Sequence, residues 1–111
     1  MMNVKDTLTQ RRFSSDKMQK VNLFETERMF ADVYCLEPGQ EQKAHAHRGA
    51  DKIYFVLEGN AKVRVGSEER QLAAGEIVLA PADVEHGVTN NSSARLVLLV
   101  FMAPNPNVAA T

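Results

Sequence analysis

The sequence predicts an all-β domain, a sandwich or barrel of short strands. Three observations carry this reading. Apolar residues fall in short runs of strand formers, such as Ile53–Leu57, Ile77–Ala80 and Leu96–Met102, that are too brief for helices. Turn signals separate the runs at close intervals: Pro38-Gly39, Glu58-Gly59-Asn60, Gly66-Ser67, Ala74-Gly75 and Pro81. No stretch carries an apolar stripe of helical period.

Taken in order, residues 1–17 read as an N-terminal arm with scattered apolar positions (Val4, Leu8, Phe13). The barrel domain is placed at residues 18–103. Its first strand contains Val21, Leu23 and Phe24 and ends at a turn near Thr26-Glu27. Met29–Leu36 is the second, closed by Pro38-Gly39; Cys35 within it reads as a small buried hydrophobe. Glu41–His47 follows, then a loop at Arg48-Gly49-Ala50 and the apolar run Ile53–Leu57. Lys62–Val65 alternates polar with apolar, and Gly66-Ser67 turns it tightly into Glu68–Leu72. Ile77–Ala80, Val84–Asn90 and Leu96–Met102 complete the set. The tail, residues 104–111, is expected to be loose.

Composition narrows the function. A chain of 111 residues makes one domain with a single core, and a formal net charge of -1 gives no attraction for nucleic acid or anionic membrane. No apolar run reaches the length of a membrane span, and the N-terminus has no apolar core of a secretory signal. With a single cysteine excluding an internal disulfide, a cytoplasmic protein is expected. The runs Ile53–Leu57 and Leu96–Met102 are apolar on both faces, so the face turned away from the barrel interior needs a cover. The arm, a second subunit or an arm exchanged between subunits would serve, and a homodimer is expected.

The chemistry centres on the three histidines of the chain. His45 and His47 are one residue apart, which on a strand puts both imidazoles on one face. His86 follows a strand-like run that can lie opposite them. Imidazole is a common ligand for zinc, iron, nickel and copper, and three of them leave coordination positions open. If the strand is regular, Glu41 and Lys43 share the face of His45 and His47.

These residues carry a resemblance to a known family. Gly39, His45, His47 and Gly59 fall at the spacing of the first motif of the cupins, and Gly75, Pro81, His86 and Asn90 at that of the second, with Asp83 at the place of that motif's second glycine. The match spans about residues 39–90. It implies a cupin-type double-stranded β-helix, a jelly-roll barrel, with His45, His47 and His86 as ligands of a divalent transition metal (Zn, Fe, Ni, Cu or Mn). The sequence departs from the pattern at Lys52, which stands where the family's metal-ligand glutamate is expected. An ammonium cannot coordinate a metal and repels one. Lys52 is open to three readings: loss of its proton through burial, pairing with Asp51 or Glu41, or a place in the pocket holding a substrate carboxylate or moving a proton. Asp51, one residue away, should point to the opposite side. Tyr54 should share the face of Lys52 and line the pocket.

The resemblance implies dioxygenase, isomerase or decarboxylase chemistry on a small organic molecule, with Lys52 and Tyr54 orienting it. The alternative is a non-catalytic module that binds or senses a small ligand around an empty or degenerate metal site. One scaffold hosts many chemistries, and fold alone does not choose.

Overall fold

A computed structural model describes residues 1–108; positions 109–111, the end of the tail, lie outside the described residues. The chain forms strands β1 (Gln19–Glu25), β2 (Phe30–Leu36), β3 (Glu41–His45), β4 (Asp51–Glu58), β5 (Asn60–Val65), β6 (Glu68–Ala73), β7 (Ile77–Ala80), β8 (His86–Thr89) and β9 (Leu96–Ala103). No helix occurs among the described residues, so none is long and apolar enough to cross a membrane. The strands form two antiparallel sheets, one of order β1-β2-β9-β4-β7 and one of order β3-β8-β5-β6.

The period of two along each strand sorts its side chains between the layers. Tyr34, Leu36, Tyr54, Val56, Leu96, Leu98 and Val100 face inward from the larger sheet and meet Ala61, Val63, Leu72 and Val88 of the smaller one. The opposite face of β1, β2 and β9 carries a second cluster of Leu23, Val33, Cys35 and Val97. The N-terminal arm covers it. Phe13 packs into that cluster, the Arg12 N–H donates to Cys35 Sγ at 3.4 Å, and Arg11 pairs with Glu58 at 3.1 Å. The cover required by the doubly apolar strands is thus partly supplied by the chain's own arm. Cys35 is buried as expected, and desolvation raises its thiol pKa.

Two boundaries matter for the site. β4 begins at Asp51, because Asp51 and Lys52 pair with Ala103 and Met102 of β9, so Lys52 is a strand residue. β3 stops at His45 and is irregular before it. Its register against β8 runs Gln42↔Val88 and then His45↔His86, so Lys43 and Ala44 together oppose Gly87 alone. This β-bulge exchanges the faces of the strand. Gln42 and His45 both turn inward, whereas a regular strand would have put Glu41 and Lys43 with His45. Those two are exposed, and that expectation is corrected.

The tail is also better held than expected. Asn105 is buried, and its Nδ2 donates to Glu25 Oε2 at 2.9 Å and to the Thr26 carbonyl at 2.8 Å.

Gly87 allows the bulge because the chain folds directly over it. A Cβ there would lie 2.9 Å from the Gln42 carbonyl oxygen and 3.0 Å from Ala44 Cα and N, all backbone atoms that cannot swing aside. Gly87→Ala is therefore expected to destabilise the fold by about 1–3 kcal/mol, read as a lower urea midpoint. An unchanged midpoint would show that the bulge does not need this close approach.

Candidate metal centre

Cross-strand pairing brings the histidines together. His45 of β3 lies directly opposite His86 of β8, with ring centroids 4.5 Å apart. His47 stands just past the end of β3, its ring 4.7 Å from His45 and 5.6 Å from His86. The β7–β8 turn fixes its loop: the Asp83 N–H donates to the His47 carbonyl at 2.9 Å, and Asp83 Oδ1 accepts from the Gly49 N–H at 3.1 Å. Asp83 adopts φ 70°, a left-handed conformation that glycine takes most easily, which accounts for its fitting the place of a motif glycine. One donor atom from each imidazole lies within 4.8 Å of the other two.

The tautomers suit metal binding. His45 Nδ1 lies 2.7 Å from the Lys43 carbonyl and His86 Nδ1 3.0 Å from that of Val84. A carbonyl only accepts, so each Nδ1 carries the hydrogen and each Nε2 keeps a free lone pair. His86 Nε2 is buried and has no hydrogen-bond partner. Desolvation lowers the pKa of all three imidazoles, that of His47 to about 4, with Lys52 adding to the effect at each and neighbouring imidazoles at His47 and His86. All three are therefore neutral at pH 7, the form that binds metal.

Lys52 points into the barrel and is only 1% exposed. Its Nζ donates to Gln42 Oε1 at 3.0 Å and lies 5.2 Å and 5.0 Å from the ring centroids of Tyr34 and Tyr54. The Tyr54 hydroxyl donates to the same Gln42 oxygen at 2.8 Å, and Gln42 Nε2 donates to the Tyr34 hydroxyl at 3.3 Å. Burial, and secondarily the charge of Lys20, push the ammonium pKa down to about 7, while Asp32 pulls the other way. Burial raises both phenol pKa values, so the hydroxyls stay protonated.

The alternation between Asp51 and Lys52 holds. Asp51 is exposed, and its Oδ1 accepts from the Ala82 N–H at 2.9 Å. Neither of the acids considered as partners, Asp51 or Glu41, pairs with Lys52; the neutral amide of Gln42 does. Tyr54 shares the inward face of Lys52, as expected, but is fully buried beside His86, with ring centroids 6.1 Å apart, and the tyrosine in the cavity wall is Tyr34 instead. Sequence reasoning does not single out Gln42 or Tyr34. Finding Gln42 would require the bulge, whose one sequence signal is a glycine inside a short strand. Asn90 is buried and structural: its amide donates to the Leu36 and Ala94 carbonyls and its oxygen accepts from Ser92.

A cavity of about 170 Å³ reaches the histidine cluster at His47, with Lys20, Asp32, Tyr34, Gln42 and Lys52 among its other walls. Pro106 and His47 also belong to the wall of an outer cleft of about 640 Å³, so the anchored tail borders the entrance.

Comparison with known proteins fixes the family. The cupin domain model matches residues 32–102, nearly the whole barrel. The chain belongs to the cupins. A crystal structure from Thermus thermophilus is 48% identical, with a TM-score of 0.91 over 93% of this chain and 98% of that one. An uncharacterized protein of Streptomyces coelicolor is 40% identical over 68% of this chain and 71% of its own length. The tetracenomycin polyketide synthase protein TcmJ of Streptomyces glaucescens is 33% identical over 66% of this cupin, which spans about half of it (51%). A double-stranded β-helix protein of Klebsiella pneumoniae, 24% identical with a TM-score of 0.88 over 98% of this chain and 95% of that one, shares the fold.

The buried lysine gives a pH test. Between the native value near 7 and the ordinary 10.5, the unfolded chain holds a proton that the native state does not, so this group makes stability rise with pH across that window. Below pH 7 both states are protonated and the native state carries the full desolvation penalty. Lys52→Met is expected to stabilise the fold by on the order of 1 kcal/mol at pH 6, with the gain shrinking toward pH 10. Urea midpoints of the two proteins at both pH values measure it, and a gain that does not shrink would contradict the depressed pKa.

Proposed function

We propose that this cupin holds one divalent transition metal through His45, His47 and His86 and acts on a small organic molecule in the adjoining cavity. The observation that carries the reading is the buried, partnerless Nε2 of His86 beside two other neutral imidazoles. An unsatisfied buried acceptor of this kind is costly unless a ligand completes it. Zinc, iron, nickel and copper all suit three nitrogen donors, and such an ion would supply Lewis acidity or a redox centre for dioxygenase, isomerase or decarboxylase chemistry. Gln42 ties Lys52, which lines the substrate space, to the fully buried Tyr54. With a pKa near 7, Lys52 is placed to hold or move a proton on a bound molecule. The name of the Streptomyces glaucescens relative, a polyketide synthase protein, supports a small organic substrate.

Elemental analysis of protein purified without chelators is expected to give close to one transition metal per chain. Each of His45→Ala, His47→Ala and His86→Ala is expected to lower occupancy at least tenfold without unfolding the barrel. A folded protein that neither retains metal nor takes up added zinc would overturn the metal reading. Metal bound without turnover of any small acid, ketone or phenol would make this a binding module.

The homodimer forms part of the same proposal. Ile77 (61% exposed), Leu79 (52%) and Phe101 (36%) lie on the outer face of the larger sheet, at the end the arm does not reach. Leu79 and Phe101 flank Ile53, and Ile77 and Leu99 flank Phe55, so the apolar surface is continuous across β7, β4 and β9. β7 is also an edge strand, whose free backbone groups can pair with a second copy. Light scattering is expected to give twice the chain mass of 12.3 kDa, and Leu79→Lys to give the monomer. A parent protein that is monomeric at micromolar concentration would remove the homodimer.

A further inference from the structure

We infer that the cavity beside the histidines is a carboxylate site, in which Lys52 at the floor and Lys20 at the rim clamp the acid group of a small organic acid. This rests on the reading of the cavity as the place where a small molecule binds, and it names that molecule's class.

The charges in the cavity do not balance. Lys52 Nζ is buried with three donor positions, yet its one hydrogen-bond partner among the described residues is the uncharged Gln42 amide. Neither Lys52 nor Lys20 forms an ion pair among these residues. Asp32 is the single carboxylate in the wall, and it is engaged by Asn22 Nδ2 at 2.8 Å. A buried ammonium without an ion-pair partner is unfavourable, and a bound carboxylate would supply both the contact charge and the missing acceptors.

The geometry fits the same ligand. Lys20 on β1 sits opposite Tyr34 of β2, its Nζ 5.4 Å from the ring centroid, while Lys52 Nζ lies 5.2 Å from that same centroid. One aromatic ring thus stands next to both cations. Phe30 and Met102 provide apolar wall, and a space of about 170 Å³ suits an acid of a few carbons. His47 belongs to the same wall, so an acid group held at the lysines leaves the remainder of the molecule next to that histidine. A longer substituent would leave past His47 and Pro106 into the outer cleft. Lys20 and Lys52 would then select acids over neutral molecules of equal size.

The test is an NMR titration of the full-length protein, stripped of metal, with 2-oxobutyrate and with its neutral amide. The acid is expected to bind at least tenfold more tightly than the amide. Lys20→Gln, at an exposed rim position, is expected to weaken the acid several-fold, and Lys52→Met at least tenfold. Should Lys52→Met fail to fold, Lys20→Gln decides alone. Equal affinity for acid and amide, or parental affinity in either folded variant, overturns the clamp. So does an acid that binds solely after zinc is added and with no dependence on Lys20, an outcome that leaves the metal centre intact. Conversely, lysine-dependent binding by a protein that refuses zinc upholds the clamp and removes the metal centre.

Discussion

The bulge of β3 over Gly87 is the constraint on which the site depends. In a regular strand, neighbours at odd spacing point to opposite sides, and Gln42 and His45 would be divided between the interior and solvent. The extra residue on β3 reverses the alternation between them. One short strand thereby contributes both an imidazole positioned to hold a metal and the amide that joins Lys52, Tyr54 and Tyr34. Because β3 and β8 stay in register at His45 and His86, the bulge also leaves the two imidazoles directly opposite each other. The absence of a Cβ at one position of β8 therefore sets the chemistry of the whole interior.

The second feature of the site is a lysine near a cluster of imidazoles positioned to hold a metal. A fully charged ammonium in a low-dielectric pocket would oppose a divalent ion strongly. Burial changes the balance, since the same loss of hydration that keeps the histidines neutral lowers the Lys52 ammonium pKa to about 7. Gln42 completes the arrangement by accepting from both Lys52 and Tyr54 while donating to Tyr34. An uncharged amide holds the lysine through one hydrogen bond, without a salt bridge. Histidines and lysine thus share one low-dielectric pocket.

Around this interior the larger sheet is apolar on both sides, and the chain covers only part of its outer face. Phe13 and the backbone of Arg12 close the surface over β1, β2 and β9, and Arg95 stacks on Phe13 from above, 4.2 Å from its centroid. The surface over β4 and β7 stays open. At the other end the tail bends back and is pinned by Asn105 to the turn after β1, which places Pro106 at the entrance to the cavity. Both chain ends therefore have definite work: the first seals the sheet, and the last shapes the way into the barrel.

Sequence by itself determined the strand content, the turns and the meeting of the three histidines. Alternating and short apolar runs specify strands locally, and motif spacing fixes which turns bring His45, His47 and His86 to one end. It also determined that Asp51 and Lys52 diverge, since that follows from the pleat alone. Only the tertiary structure decided what Lys52 contacts, because its partner comes from β3 and depends on a bulge that local propensity does not mark. The same holds for Lys20 and Tyr34, ordinary strand residues until the β1–β2 pairing carries them to the cavity wall. It holds for Asn105 too, whose anchoring contacts lie about eighty residues back along the chain. Local pattern sets the direction of a side chain within its strand; what it meets there is fixed by long-range register and packing.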